Sequence, residues 1–537
     1  MNEADFFSAV CERLRAALEQ QQHSELRLNQ FMSPDRLRDS VQLTPSVEGH
    51  HDLATSLAQI DTYLAHAVKT NHPLFSNQLW SKTHLLSQIA EMIVAVSNTS
   101  MFTYEVAPLA TLIEKHLVQR LCQLIGFNQG SGLMTTGASQ SNLLAMLQAR
   151  QRFCPTANQH GIYQTKQIPV VIVSADAHYS LLKAARICGL GEENLIVIPT
   201  DAAGRMLTAE VKAAIDACQD SGRQPIMICA TAGTTIKGAI DPIDSLATLA
   251  KAHGIWLHVD AALGGVLLFH PQLRELLQGI AHADSVAFDA HKILGMNLIC
   301  SFYLVQQTQH FQADFYSAAG DDYIFSDDAH LGAEENIGPL SLQCGRRVDA
   351  LKLWLTWHYE GDRGFAQQID RLLAAKQFAR DIITEHPHLS IVSCAETFNL
   401  CFQYRHPTQP QNDQINFAIR KALLRLSLVM VNYAKIDNQM VIRQVFAHAD
   451  ITPKQIEEFF AYILMMGFIL SHEIDIEQST PDLYAALCSH YPEFVTCQLS
   501  NDIATLDNSQ LCRIFSRYFH PQQASVSSQA NEQPLTC

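Results

Sequence analysis

The chain has 537 residues, 47% of them hydrophobic and 17% charged, so it is long enough to bury a sizeable core and its composition is not that of a disordered chain. At roughly 100 to 200 residues per domain, about two to four structural units are expected. A formal charge of −16, from 37 Lys plus Arg against 53 Asp plus Glu, argues against nucleic acid or an anionic membrane as a partner, and a phosphate ligand needs local help.

Residues 1–110 read as helices joined by polar loops, with a proline-marked stretch NHPLFSNQLW at 71–80. The opening MNEADFFSAVCERLRAAL places Glu3, Asp5 and Glu12 among its apolar residues, which is no secretory signal pattern, and a cytoplasmic location is expected. From 111 to 365 short β-branched runs alternate with helix-like segments: Val170–Val173, Leu195–Ile198, Ile226–Cys229, Ile255–Val259 and Ser285–Phe288. Continuous apolar strands between helices imply an α/β domain with a mostly parallel sheet covered on both faces. Asp241-Pro242 predicts an N-cap followed by proline at N1, opening a helix PIDSLATLAKAH that stops at Gly254.

From 366 to 475 a smaller α+β domain is predicted, with strands at Ser390–Ser393, Phe398–Phe402 and Met440–Phe446. Its apolar run Phe459–Leu470 falls short of the ~20 residues a spanning helix needs and reads as a buried helix. Residues 476–537 read as a helical extension and a polar tail rich in Gln and Ser. The 14 cysteines are scattered from Cys11 to Cys537 with no C-x-x-C pair, and HExxH is absent, so neither a disulfide framework nor a metal site is expected.

In open α/β sheets ligands bind beyond the carboxyl ends of the strands, so residues just after the predicted runs carry the chemistry. TTGASQSN (135–142) is a small-residue turn opening a helix, whose N–H groups and dipole suit a phosphate, although such turns also cap ordinary helices. His178, in ADAHYS, stands where an imidazole can stack on a flat ring or simply cap a helix. Asp260, ending HVD, is placed either to cap a helix or to hold a proton on a pyridine nitrogen and so make the ring an electron sink. Ala262 and the glycines after it leave room for that ring. Lys292, in FDAHK, is either a snorkelling surface lysine or an amine that forms an imine with an aldehyde cofactor. Together these parts suit pyridoxal 5′-phosphate, and no metal or nucleotide reading uses all of them.

Over roughly residues 70 to 470 the sequence resembles the group II pyridoxal-phosphate-dependent amino-acid decarboxylases, which act on glutamate, cysteine sulfinate, aspartate or 2,4-diaminobutyrate. The motifs that carry the resemblance are NQL (77–79), NTSMFTYEVAP (98–108), GASQSN (137–142), ADAHYS (175–180), ATAGTTIKGAIDP (230–242), HVDAALGG (258–265), DAHK (289–292) and SLQCGRRVDALKLW (341–354). The resemblance implies the fold-type I architecture: a large domain with a seven-stranded, mostly parallel sheet, a small C-terminal α+β domain, and a homodimer whose sites are completed by the neighbour's loop. It makes Lys292 the Schiff-base lysine, Asp260 the partner of the pyridinium nitrogen and His178 the stacking residue, with Ala262 beneath the ring. Ala138, Ser139 and His291 would bind the phosphate and Thr231 the ring's edge. Arg443, in MVIRQVF, would grip the substrate's α-carboxylate; without the resemblance it reads as a surface or ion-paired strand residue.

Three positions depart from the family. Ala138 replaces a second glycine of the phosphate turn, and Leu263 replaces a tryptophan after HVDAA. Leu331 falls where the family's mobile loop carries the tyrosine that returns a proton to the product carbon, leaving Tyr323, His330 or water as the donor. NTSMFTYE, with Phe102, is similar to the glutamate branch, and Asn77 and Gln78 would supply amide donors to a distal acidic group. The expected activity is α-decarboxylation of an acidic amino acid, glutamate to GABA foremost. A diaminobutyrate decarboxylase, an aldehyde-forming oxidative deaminase and a non-catalytic cofactor-binding protein are the alternatives.

Overall fold

The computed structural model describes residues 1–21, 27–29, 31–219, 221–308, 332–405 and 413–471. Its strands in chain order are β1 (Phe75–Ser76), β2 (Ser131–Thr135), β3 (Ile168–Ser174), β4 (Leu195–Ile198), β5 (Arg223–Thr231), β6 (Trp256–Asp260), β7 (Ser285–Asp289), β8 (Ser301–Val305), β9 (Leu389–Ser393), β10 (Asn399–Tyr404), β11 (Met430–Ile436) and β12 (Gln439–Val445). Seven of these form one sheet in the order β2-β8-β7-β6-β5-β3-β4. Only β8 runs against its neighbours, pairing antiparallel with β2 and β7, while the remaining neighbours are parallel.

This sheet is apolar at successive positions because it serves two cores. Ile172, Ile228 and Ala230 pack into the core on one face, and Val171, Val173, Met227 and Cys229 into the core on the other. The five predicted runs all became strands, whereas β2 and β8 had not been assigned. The helix predicted after Asp241-Pro242 spans Ile243–His253 and ends at Gly254 with φ 65°, the left-handed C-cap conformation that glycine adopts without strain. The expected cap is corrected: Pro242 is the N-cap residue, and no side chain caps the helix. Asp241 turns inward instead, accepting hydrogen bonds from Met206 N (2.7 Å) and Thr231 N (2.8 Å). Burial pushes the pKa of its carboxyl up to about 6.

The smaller sheet has the order β1-β11-β12-β10-β9. Its first strand comes from the N-terminal segment: Phe75 pairs with Met430 and Ser76 with Val431, parallel. The helix Pro453–Ser471 covers this sheet with Phe459, Phe460, Ile463 and Met466 buried against Phe402 and its neighbours. The long helix Ala350–Glu385 runs through position 366, and its backbone break lies earlier, at Gly361 (φ 63°, ψ 178°). No helix among the described residues is long and apolar enough to cross a membrane.

Candidate active site

The parallel register lines up the strand ends. Thr231 of β5 lies beside Asp260 of β6, and Asp260 beside Ala287 of β7. On the other side of β7, Asp289 pairs with Ser301 of β8, which in turn pairs with Thr135 of β2. These positions align along the carboxyl edge of the parallel strands, where ligands of open α/β sheets bind. Ala138, Ala262 and Ala287 pack together as a small apolar patch at this edge.

Lys292 follows β7 by three residues, and its Nζ stands 3.2 Å from Asp289 Oδ2. Burial acts to raise the pKa of Asp289, but the charges of Lys292 and His291 outweigh it and hold the carboxyl below the usual range. His291 lies 3.8 Å from the same carboxylate and is kept low by burial. Asp260 Oδ1 accepts the Ala262 N–H (3.2 Å), and its Oδ2 accepts from the Asn142 amide (2.9 Å). His178 sits in the turn between β3 and the helix Ser180–Ile187, with its pKa lowered chiefly by burial and opposed by Asp260.

At the start of the helix Ala138–Phe153 the N-cap is Gly137, at φ 118° with no side-chain cap. Gln140 N and Ser141 N close back on Gly137 O, while the N–H groups of Ala138 and Ser139 have no described acceptor, as expected of a first helical turn. Thr231 Oγ1 is buried without a partner. From the small sheet Arg443 reaches across to two backbone carbonyls, Thr235 O (2.9 Å) and Asn77 O (2.8 Å), and its Nε is buried without a partner. Burial lowers the pKa of this guanidinium, and no carboxylate among the described residues pairs with it. Asn77 Oδ1 is likewise buried and unpartnered, and Gln78 beside it is half-buried.

The model of the pyridoxal-dependent decarboxylase conserved domain matches residues 34–405. The chain belongs to that family. The acidic amino acid decarboxylase GADL1 of Bos taurus is 32% identical over 443 residues, covering 80% of this chain and 84% of the relative. The glutamate decarboxylase of Drosophila melanogaster is 35% identical over 407 residues, covering 74% and 76%. The crystal structure of mouse CSAD superposes with a TM-score of 0.82 at 30% identity, covering 86% of this chain and 98% of that one.

The cofactor of this pyridoxal-dependent decarboxylase is pyridoxal 5′-phosphate, and the residues present fit it. The orphaned Thr231 Oγ1, the two open N–H groups at Ala138 and Ser139, and the alanine patch offer a donor, an anion site and a flat floor. Asp260 ends β6 and Lys292 follows the adjacent strand β7 by three residues, so both stand at the same edge, as an aldehyde and a ring nitrogen of one molecule require.

Phe102 is fixed through its backbone to the segment that precedes the SLQCGR motif. Its carbonyl accepts the Gly338 N–H (3.0 Å), and the preceding Met101 is held to Arg346. Arg346, from the SLQCGR motif, forms a buried ion pair with Glu114 (2.9 Å). Tyr323, His330 and Leu331 lie outside the described residues.

The residue-by-residue reading passed over Asn142, Ser180, His258 and Asp289, all of which touch this site. A spacing signal existed for three of them. Asn142 is four residues after Ala138 on one helix face, His258 is two before Asp260 on one strand face, and Ser180 is two after His178.

Proposed function

We propose that this decarboxylase removes the α-carboxylate of an acidic L-amino acid, with glutamate favoured over aspartate and cysteine sulfinate. The observation that carries the reading is Arg443, a buried guanidinium whose partners among the described residues are two backbone carbonyls and whose Nε is unpartnered. A buried cation of this kind is costly until an anion joins it, and its planar fork suits a carboxylate. Asn77, whose carbonyl Arg443 holds, carries a side-chain amide whose NH2 is the donor proposed for a second polar end. The names of the two relatives, an acidic amino acid decarboxylase and a glutamate decarboxylase, agree with this substrate class.

In this reading Lys292 holds the cofactor's aldehyde, Asp260 its ring nitrogen, and Ala138, Ser139 and His291 its phosphate. His178 covers one ring face, Ala262 the other, and Thr231 the ring's edge. The bound cofactor supplies an electron sink for the pair released when the Cα–carboxylate bond breaks. Arg443 fixes that carboxylate, and Asn77 and Gln78 donate to the distal group, so substrates lacking it leave donors unpaired at a cost of about 1 to 3 kcal/mol. One proton added at Cα balances the loss of CO2 and gives the amine.

The test is to offer the cofactor-loaded protein glutamate, aspartate, cysteine sulfinate and diaminobutyrate separately, measuring amine, CO2, aldehyde and ammonia. One amine per CO2 from an acidic substrate is expected. Turnover of diaminobutyrate alone would overturn the acidic pocket, and aldehyde with ammonia would replace decarboxylation to the amine by oxidative deamination.

The reading includes a homodimer in which Phe102 serves the neighbour's site. It is supported by the helix Leu85–Ser97, which buries Ser87, Ala90 and Val94 while exposing Leu85, Ile89, Met92, Ile93 and Val96. An apolar face of this kind is a common basis for self-association. Sedimentation should return twice the mass of the chain, and a monomer at micromolar concentration would remove this part. A cytoplasmic setting completes the proposal, consistent with buried neutral thiols such as Cys122 and Cys401, whose pKa burial pushes up to about 12.

A further inference from the structure

Behind the candidate cofactor site lies a buried hydrogen-bond array whose every hydrogen can be placed. Asn142 Nδ2 is 2.9 Å from both Asp260 Oδ2 and Ser180 Oγ, and its Oδ1 is 2.9 Å from His258 Nε2. The opposite amide orientation would set Oδ1 against a carboxylate oxygen, so Asp260 itself fixes which way Asn142 points. Asn142 Oδ1 is then an acceptor, and His258 must carry its proton on Nε2. Burial lowers the pKa of His258 to about 4, which leaves the ring neutral and Nδ1 bare. Ser285 Oγ, 2.9 Å away, donates to Nδ1 and accepts from Trp256 Nε1 at 2.9 Å.

The other branch is equally constrained. Ser180 Oγ accepts from Asn142, so its own proton goes to His178 Nδ1 at 2.8 Å, and Ser180 N also points at that nitrogen from 3.3 Å. Both bonds place a donor at Nδ1, so a proton there would face donors, and His178 keeps its hydrogen on Nε2. Trp256, His258 and Asp260 alternate along β6 and therefore share one face of the sheet, which is how a single strand lays out half of the array.

We propose that Asn142 is a positioning residue that ties Asp260 to His178 through Ser180, holding Asp260 as a hydrogen-bond acceptor and His178 as the Nε2–H tautomer. The proposal rests on the cofactor placement given above. The donors run from Trp256 to Ser285 to His258 to Asn142, and from Asn142 to Asp260 directly and to His178 through Ser180, so each of these two residues receives a hydrogen from the array and gives it none. The charged groups that bear on His178 are Asp260, Lys292, Asp289 and Lys183, and Tyr179 lies against its ring at 4.2 Å.

Two variants test this in the cofactor-loaded full chain. Ser180→Ala removes one oxygen that stabilises neutral His178, so the pKa of His178 rises. The acid limb of the kcat/KM profile should move up by about one pH unit, the worth of one such bond, with cofactor affinity changed less than about threefold. Asn142→Asp keeps the shape but sets a carboxylate against Asp260, and cofactor affinity should fall at least about tenfold with a shifted pH dependence of the cofactor's absorbance. An unmoved acid limb in the first variant, or unmoved affinity and spectrum in the second, overturns the proposal while the wild type still takes up cofactor. If the wild type took up none, the cofactor placement and the array's role would fall together.

Discussion

The Lys292→Ala protein is expected to lose the visible absorbance of the bound cofactor and to form amine at least about a thousand-fold more slowly than the wild type. The lysine stands at the edge where Thr231, Asp260 and Ala287 are aligned, and no other described lysine stands beside Asp289. Its loss has a second effect, because Asp289 is almost fully buried and relies on Lys292 and His291 to stay ionised. Lys292→Arg separates the two contributions, since it keeps a cation beside Asp289 but has no amine to join an aldehyde. Both variants should be dark, and only the alanine variant should also lower the thermal midpoint. A visible band of ordinary intensity in either one would remove Lys292 from the proposed role.

Arg443→Ala should bind cofactor normally and raise KM roughly 10- to 100-fold, the range expected for a lost charge-assisted bond to a carboxylate. Arg443→Lys should recover little, because an ammonium cannot reach Thr235 O, Asn77 O and a carboxylate with one planar fork. The alanine variant also leaves two carbonyls without their donor, so the thermal midpoint must be read beside the kinetics. A KM within twofold of the wild type would show that the arginine serves the fold and that another group holds the substrate.

The central strands are legible in the sequence because both of their faces are used, and β4 at the edge is apolar at every position although Val197 is exposed. Val170–Val173 is apolar at every position because Val171 and Val173 face one core and Ile172 the other. β2, with the sequence SGLMT, hides its nature because Ser131 and Gly132 are only half-buried. β8, SFYLV, has the apolar signature, but a short apolar run does not by itself tell a strand from a buried helix. β11 escapes for the opposite reason, since Tyr433 and Lys435 are exposed and break the run.

The site divides along similar lines. Lys292, Asp260 and His178 are legible because each stands at a strand end with a chemically telling neighbour. Asn142 is not, because its meaning comes from Asp260, 118 residues away in sequence. Asp241-Pro242 misled because a capping aspartate and one that ties two backbone amides together look identical until the chain has folded. Arg443 alone reads as an ion-paired strand residue, and only the fold reveals a guanidinium that no carboxylate among the described residues pairs with.

The short strand β1 has a mechanical consequence. By pairing with β11 it fastens the backbone just before Asn77 to the same sheet that carries Arg443, whose register partner on β11 is Asn432. Both proposed grips on the substrate therefore ride on one rigid platform, while Lys292, Asp260 and His178 ride on the other. The span between the two proposed grips is thus set within the small sheet's own ladder. The bond from Arg443 to Thr235 O, in the loop after β5, joins the two platforms at the grip itself.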